Sequence, residues 1–107
     1  MINYIVGGRG SGKTLRLIQL SSRTGYPILV KDHIRKNWVV ALADKLEYKI
    51  PDPITLMEWH IIQMALSKDS KLYIDDIEDV IQEIFQYRVD AATLMQPTNI
   101  ENLDDKV

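Results

Sequence analysis

The chain contains no cysteine. Disulfides and thiolate metal sites are therefore excluded. Neither sign of charge dominates: 13 lysines and arginines stand against 15 aspartates and glutamates, a formal net charge of −2. That balance argues against broad electrostatic binding to nucleic acid and leaves a local basic patch as the one route to such a partner. No apolar run approaches the ~20 residues of a membrane span. The first residues lack the basic region and apolar length of a signal peptide. The expectation is a soluble, cytoplasmic protein with no membrane partner. There is no internal repeat and no low-complexity tract. The 107 residues, 46% of them apolar, suffice for one domain with a core of its own.

What is present is concentrated near the start. Gly7-Gly8-Arg9-Gly10-Ser11-Gly12-Lys13-Thr14 fits the phosphate-binding pattern G-x-x-x-x-G-K-[ST] at every fixed position. Glycines let the backbone curl so that several N–H groups converge on anionic oxygens. A helix following the loop adds the positive end of its dipole. Lys13 is placed to reach the outer phosphates, and the Thr14 hydroxyl to ligate magnesium. By average residue usage, a random chain of this length matches roughly once in several hundred tries. The flanks strengthen the motif. Ile2-Asn3-Tyr4-Ile5-Val6 reads as a buried strand, and Leu15, Leu17, Ile18 and Leu20 as a largely buried helix that Gly25 and Pro27 stop. The plain alternative is a glycine-rich turn without a ligand.

Further along, Pro27-Ile28-Leu29-Val30 reads as a second buried strand, and Asp32 as the cap of a helix. Ile34, Trp38, Val39, Leu42 and Leu46 then recur at helical spacing, with Trp38 expected in the core. His33, Arg35 and Lys36 gather at that helix start and are read as a solvated end, the alternative being a phosphate or nucleic-acid contact. Tyr48-Lys49-Ile50 is a candidate short strand, followed by a break at Pro51-Asp52-Pro53. Thr55-Leu56-Met57-Glu58 has the form of a capping box. The helix it opens is apolar on most sides, so it is expected to be mostly covered, with His60 a packed or surface residue. Lys68-Asp69-Ser70 is a polar turn.

Leu72-Tyr73-Ile74-Asp75-Asp76 is the second informative stretch. An apolar strand ending in an acid carries a carboxylate to the edge where ligands bind in open α/β sheets. Asp75 there can hold magnesium, while Asp76 N-caps the next helix. Ile77, Val80, Ile81, Ile84 and Phe85 give that helix a regular stripe. The acids from Asp75 to Asp79 lack the glycine and spacing of a calcium loop. Val89 to Met95 reads as a final strand. The domain is thus placed at residues 1–96, with residues 97–107 as an acidic tail, flexible or docked by a partner.

With the loop at Gly7–Thr14 and the strand-end pair Asp75-Asp76, the chain resembles the P-loop NTPase superfamily. The resemblance covers nearly the whole length, but only those two motifs are specific. The paired acids resemble the AAA-type branch, where the strand-end aspartate is followed by a glutamate that prepares the attacking water. In size and layout the chain is similar to small stand-alone ATPase-like proteins of bacteriophages. The resemblance implies ATP and Mg2+ as cofactors. It assigns the phosphate-binding role to Gly7, Gly8, Arg9, Gly10, Ser11, Gly12, Lys13 and Thr14, and the metal role to Thr14 and Asp75. Lys13 and Asp76 become the catalytic candidates. Asp76 stands where that branch has glutamate, a departure that bears on hydrolysis rather than binding. Thr93 or Gln96 could serve as a polar sensor and Arg88 as an arginine finger, with a surface role the plainer reading for Arg88.

The fold expected is a three-layer α/β P-loop NTPase-like core, a mostly parallel sheet of four or five strands with helices on both faces. The function expected is Mg-dependent purine-nucleotide binding with slow ATP hydrolysis, activated by self-assembly or a protein partner. ATP is favoured because no base-reading motif of GTP-binding switches is present. The alternatives are a nucleotide-regulated protein-binding module and a small-molecule or nucleotide kinase, for whose lid and acceptor pocket little chain remains.

Overall fold

The computed structural model describes residues 2–67 and 69–104. Strand β1 (Tyr4–Val6) runs into the glycine loop and helix α1 (Lys13–Thr24). β2 (Ile28–Val30), α2 (His33–Lys45), β3 (Ile54–Thr55) and α3 (Leu56–Ile62) follow, the last ending in a 3₁₀ turn, Gln63–Ala65. β4 (Tyr73–Ile74), α4 (Ile77–Phe85) and β5 (Ile100–Asn102) complete the order. The result is an α/β domain whose strands pair in parallel, in two small sheets: β3-β2-β4 and β1-β5.

β2 is the pivot of the packing. A strand sends successive side chains to opposite faces. Ile28 and Val30 join Leu17 and Ile18 of α1 and Val39 and Ala43 of α2 in one cluster. Leu29 joins Ile54, Leu56 and Val80 in the other, under α3 and α4. All three residues of β2 are buried, which is why this stretch is uniformly apolar rather than alternating. Ile18 is fully buried and stabilises by about 1.5–3 kcal/mol relative to an exposed isoleucine.

Local capping follows the sequence closely. Asp32 accepts the Arg35 N–H at 2.9 Å and starts α2. Thr55 and Glu58 exchange both bonds of a capping box, at 3.1 and 2.9 Å. Glu58 also pairs with Lys36 of α2, which reaches Asp52 as well, each at 3.0 Å. The Thr55 backbone N–H, and after it Lys36, hold the Glu58 carboxyl down to about 2. Burial works against the Lys36 charge, yet Asp52 and Glu58 together push its pKa up.

Several expectations are corrected. Tyr48-Lys49-Ile50 forms no strand; Tyr48 and Ile50 pack against the first core cluster from a loop. Val89 to Met95 is irregular and mostly exposed, and finds no partner strand among the described residues. The edge of β1 is taken instead by Ile100–Asn102, inside the stretch read as a flexible tail. The ladder extends one bond beyond each end, from Tyr4 N–H to Asn99 O at 2.8 Å and from Leu103 N–H to Val6 O at 2.9 Å. Residues 105–107 of that tail, and Lys68 of the polar turn, lie outside the described residues. Trp38 and Ile34 are exposed, since α2 buries a narrower face, Val39 and Ala43, than its spacing suggests. α3 is not mostly covered either: Met57, Ile61 and Met64 stand out from it and its 3₁₀ turn.

Candidate functional site

The loop between β1 and α1 turns on two glycines with left-handed backbone, Gly10 (φ 76°) and Gly12 (φ 92°). A side chain there is strained whatever space surrounds it. At Gly7 the constraint is room: a Cβ would collide with the Ser11 side chain. Gly12 caps α1 through its backbone alone, so the first N–H groups of the helix carry no side-chain cap. The Ser11 Oγ is enclosed and has no hydrogen-bond partner in the structure, an unusual state for a buried hydroxyl. Arg9 is exposed at the tip.

Two charged side chains lie against the loop backbone. The Lys13 ammonium donates to the carbonyls of Gly7 and Gly8, at 2.7 and 2.8 Å. The Gly8 N–H donates to Asp104 Oδ2 at 2.6 Å. A carboxylate oxygen thus sits on a loop amide, the same chemical partner a phosphate oxygen would be.

The first turn of α1 faces the end of β4. Thr14 is 9% exposed and Asp75 5%. Thr14 Oγ1 donates to Asp75 Oδ1 at 3.0 Å, across 61 residues of chain. β4 is aligned on β2, with the Asp75 N–H on Leu29 O at 3.0 Å, and this puts the carboxylate beneath α1. Asp76 turns away: its backbone is left-handed (φ 59°), and its Oδ1 accepts the Asp79 N–H at 3.2 Å as the cap of α4.

Arg35, read from the sequence as part of a solvated helix start, belongs to this cluster. Its Nε donates to Asp75 Oδ2 at 2.7 Å, and its Nη2 to Thr14 Oγ1 at 2.9 Å. The guanidinium also stacks over the Trp38 ring, 4.2 Å from its centre. This contact gives Trp38 a role its apolar spacing did not suggest. The only signal in the sequence was the gathering of basic residues just after the Asp32 cap. The other sequence candidates are not drawn in so closely. Arg88, Thr93 and Gln96 are exposed, in and around the irregular stretch after α4.

The cluster is a surface cradle of backbone and strand-end side chains rather than a deep cavity. Two concavities lie outside it: one of about 240 Å³ is lined by Lys31, Asp32, His33, Thr55, Leu56 and His60 among others, and a larger one of about 530 Å³ by Tyr26, Trp59, Gln63 and Lys71 among others. No group of three or more histidine, aspartate or glutamate side chains that could cage a metal occurs among the described residues. No helix among them is long and apolar enough to cross a membrane. No protein-family model, curated protein or solved structure matches the chain.

Proposed function

We propose that the protein binds a purine nucleoside triphosphate, ATP, at the Gly7–Thr14 loop with magnesium, and hydrolyses it slowly. The observation that carries this reading is the buried Thr14–Asp75 hydrogen bond. The two residues whose oxygens the phosphate-loop chemistry requires side by side come from distant parts of the chain and meet. The same reading would bring the two small sheets together. Joined edge to edge at β1 and β4, β3-β2-β4 and β1-β5 would make one five-stranded parallel sheet, with the loop strand beside the acid strand.

The donor set fits magnesium, which takes one or two protein oxygens and completes its shell with water and phosphate. Thr14 and Asp75 would hold it, and when bound it would neutralise charge on the outer phosphates. The uncapped amides at the start of α1 and the enclosed Ser11 hydroxyl are donors suited to phosphate oxygens. Lys13, now on the Gly7 and Gly8 carbonyls, has the reach to turn its ammonium to them.

Turnover by the isolated chain is slow on this reading. Asp76 stands where a glutamate would prepare water, and its carboxylate is engaged as a helix cap. Aspartate is also one C–C bond shorter, about 1.5 Å, and a misplacement near 1 Å can cost on the order of a hundredfold. Calorimetric titration with Mg-ATP tests binding. The wild type should bind, and folded Lys13→Ala should bind far more weakly; equal affinities would remove the assignment. Steady-state phosphate release should run well below about 1 s⁻¹. Fast release abolished by Asp76→Ala would show the shorter acid already in working position.

A second reading has one observation in its favour. Met57, Ile61 and Met64 form an exposed apolar row, 74–91% accessible. Such a row suits contact with a protein partner or a second copy, with nucleotide as the regulator.

A further inference from the structure

We propose that Arg35 occupies the magnesium position of the loop as a built-in cation, so that metal binding requires its guanidinium to leave. The inference rests on the reading of Gly7–Thr14 as a nucleotide site and adds the way that site is regulated.

Arg35 and a metal would compete for the same two oxygens. The Thr14 hydroxyl has one proton and two lone pairs. Its proton is spent on Asp75 Oδ1, which is also where it would go with Thr14 bound to a metal. A lone pair of Oγ1 accepts Arg35 Nη2 at 2.9 Å. Asp75 Oδ2, the carboxylate oxygen left for a metal, accepts Arg35 Nε at 2.7 Å. The guanidinium fork therefore covers both donors at once, and its charge neutralises the buried carboxylate. A dication cannot join it there, because like charges at hydrogen-bond distance of the same oxygens repel strongly where water is scarce.

Release of Arg35 is structurally open. Its side chain is 31% exposed while that of Asp75 is 4% exposed. The arginine can thus swing into water, whereas Asp75 cannot and needs a replacement cation. The backbone of Arg35 stays fixed by the Asp32 cap, so only the side chain has to move. Leaving also breaks the stack on Trp38, which makes the tryptophan a reporter of the exchange.

The experiment titrates magnesium into ATP-saturated protein, wild type against Arg35→Gln, with binding followed by calorimetry. In parallel, Trp38 emission is followed in a Trp59→Phe background, which leaves Trp38 as the single tryptophan. Arg35→Gln should lower the half-saturating magnesium concentration by about tenfold or more, the equilibrium value of one charge-assisted bond removed from the competitor. Adding magnesium to the ATP-loaded Trp59→Phe protein should shift Trp38 emission, and the shift should vanish when Arg35→Gln is added. Arg35→Lys keeps the charge without the fork and should fall between the two, which preserves the test if the glutamine variant does not fold. An unchanged magnesium midpoint with silent Trp38 emission, in protein that still binds ATP, overturns the Arg35 proposal alone. Folded wild type that binds no ATP with or without magnesium overturns the nucleotide reading, and this inference with it.

Discussion

Replacing Asp75 by asparagine asks how much the buried acid contributes before any ligand arrives. Asparagine is nearly isosteric and can keep the acceptor facing Thr14. The atom facing Arg35 Nε then becomes an NH2 group, donor against donor, where a carboxylate oxygen now accepts at 2.7 Å. One charge-assisted bond, worth about 1.5–3 kcal/mol, is lost, and a buried polar group is left unmatched. Breaking a fully buried pair costs about 3–5 kcal/mol. Here the Arg35 side chain is 31% exposed, so water recovers part of its solvation, and about 2 kcal/mol is the expected net loss. For a domain of this size that lowers the melting temperature by roughly 8–15 °C. Thermal unfolding without nucleotide measures it. A double-mutant cycle with Arg35→Gln should return a coupling of about 1–3 kcal/mol between the two positions. A melting point within 2 °C of wild type, with no coupling in the cycle, would mean that the Arg35–Asp75 pair does not form in solution. The same loss sets a condition on binding work: Asp75→Asn must be titrated at a temperature where it is fully folded.

Two further outcomes concern parts of the chain around the cluster. The Glu58 carboxyl sits at about 2 in the folded protein against 4.5 ordinarily; a depressed pKa contributes stability that is present above 4.5 and is lost as pH falls from there toward 2. Acid titration of stability should therefore be flatter in Glu58→Gln than in wild type over that window, and identical slopes would remove Glu58 as a source of acid sensitivity. Asp104 places negative charge on the Gly8 amide, so Asp104→Asn should raise affinity for Mg-ATP by a few-fold at low salt; calorimetry showing equal or weaker binding would mean that the carboxylate is not in competition with phosphate.

Features governed by near neighbours were open to reading from the sequence. The caps at Asp32, Thr55 and Asp76 are bonds from residue i to the N–H of residue i+3, and each forms as the residue types imply. The loop glycines were legible for the same reason, since a left-handed backbone at Gly10 and Gly12 is a property of single positions. Strand pairing was not, because it depends on which edge is free. Val89 to Met95 has strand-forming residues but no neighbour to pair with among the described residues, whereas polar Ile100–Asn102 is carried to the open side of β1 and pairs there. Helical spacing likewise records which residues could share a face, not whether anything covers it. α4 has the most regular apolar stripe, yet Val80 is its only buried residue, and Ile84 and Phe85 remain more than half exposed.

The candidate site divides along the same line. Thr14 and Asp75 could be named from their motifs, each judged within its own segment. Arg35 could not, because its meaning lies in a carboxylate 40 residues away that no local pattern points to. Burial of Asp75 makes such a partner necessary. A carboxylate 5% exposed must be neutralised or paired, and Thr14 supplies a neutral hydroxyl and no charge. Lys13 is the nearest cation by motif, yet its ammonium is turned to the Gly7 and Gly8 carbonyls. The remaining charge has to come from elsewhere in the fold, and α2 brings it by starting from its Asp32 cap, two residues past β2, the strand that aligns β4. The basic residue in the first turn of α2 is thus held beside the acid at the end of the adjacent strand. This placement links the stability of the domain to the cation that, on the proposed nucleotide reading, its loop would have to exchange in order to load magnesium.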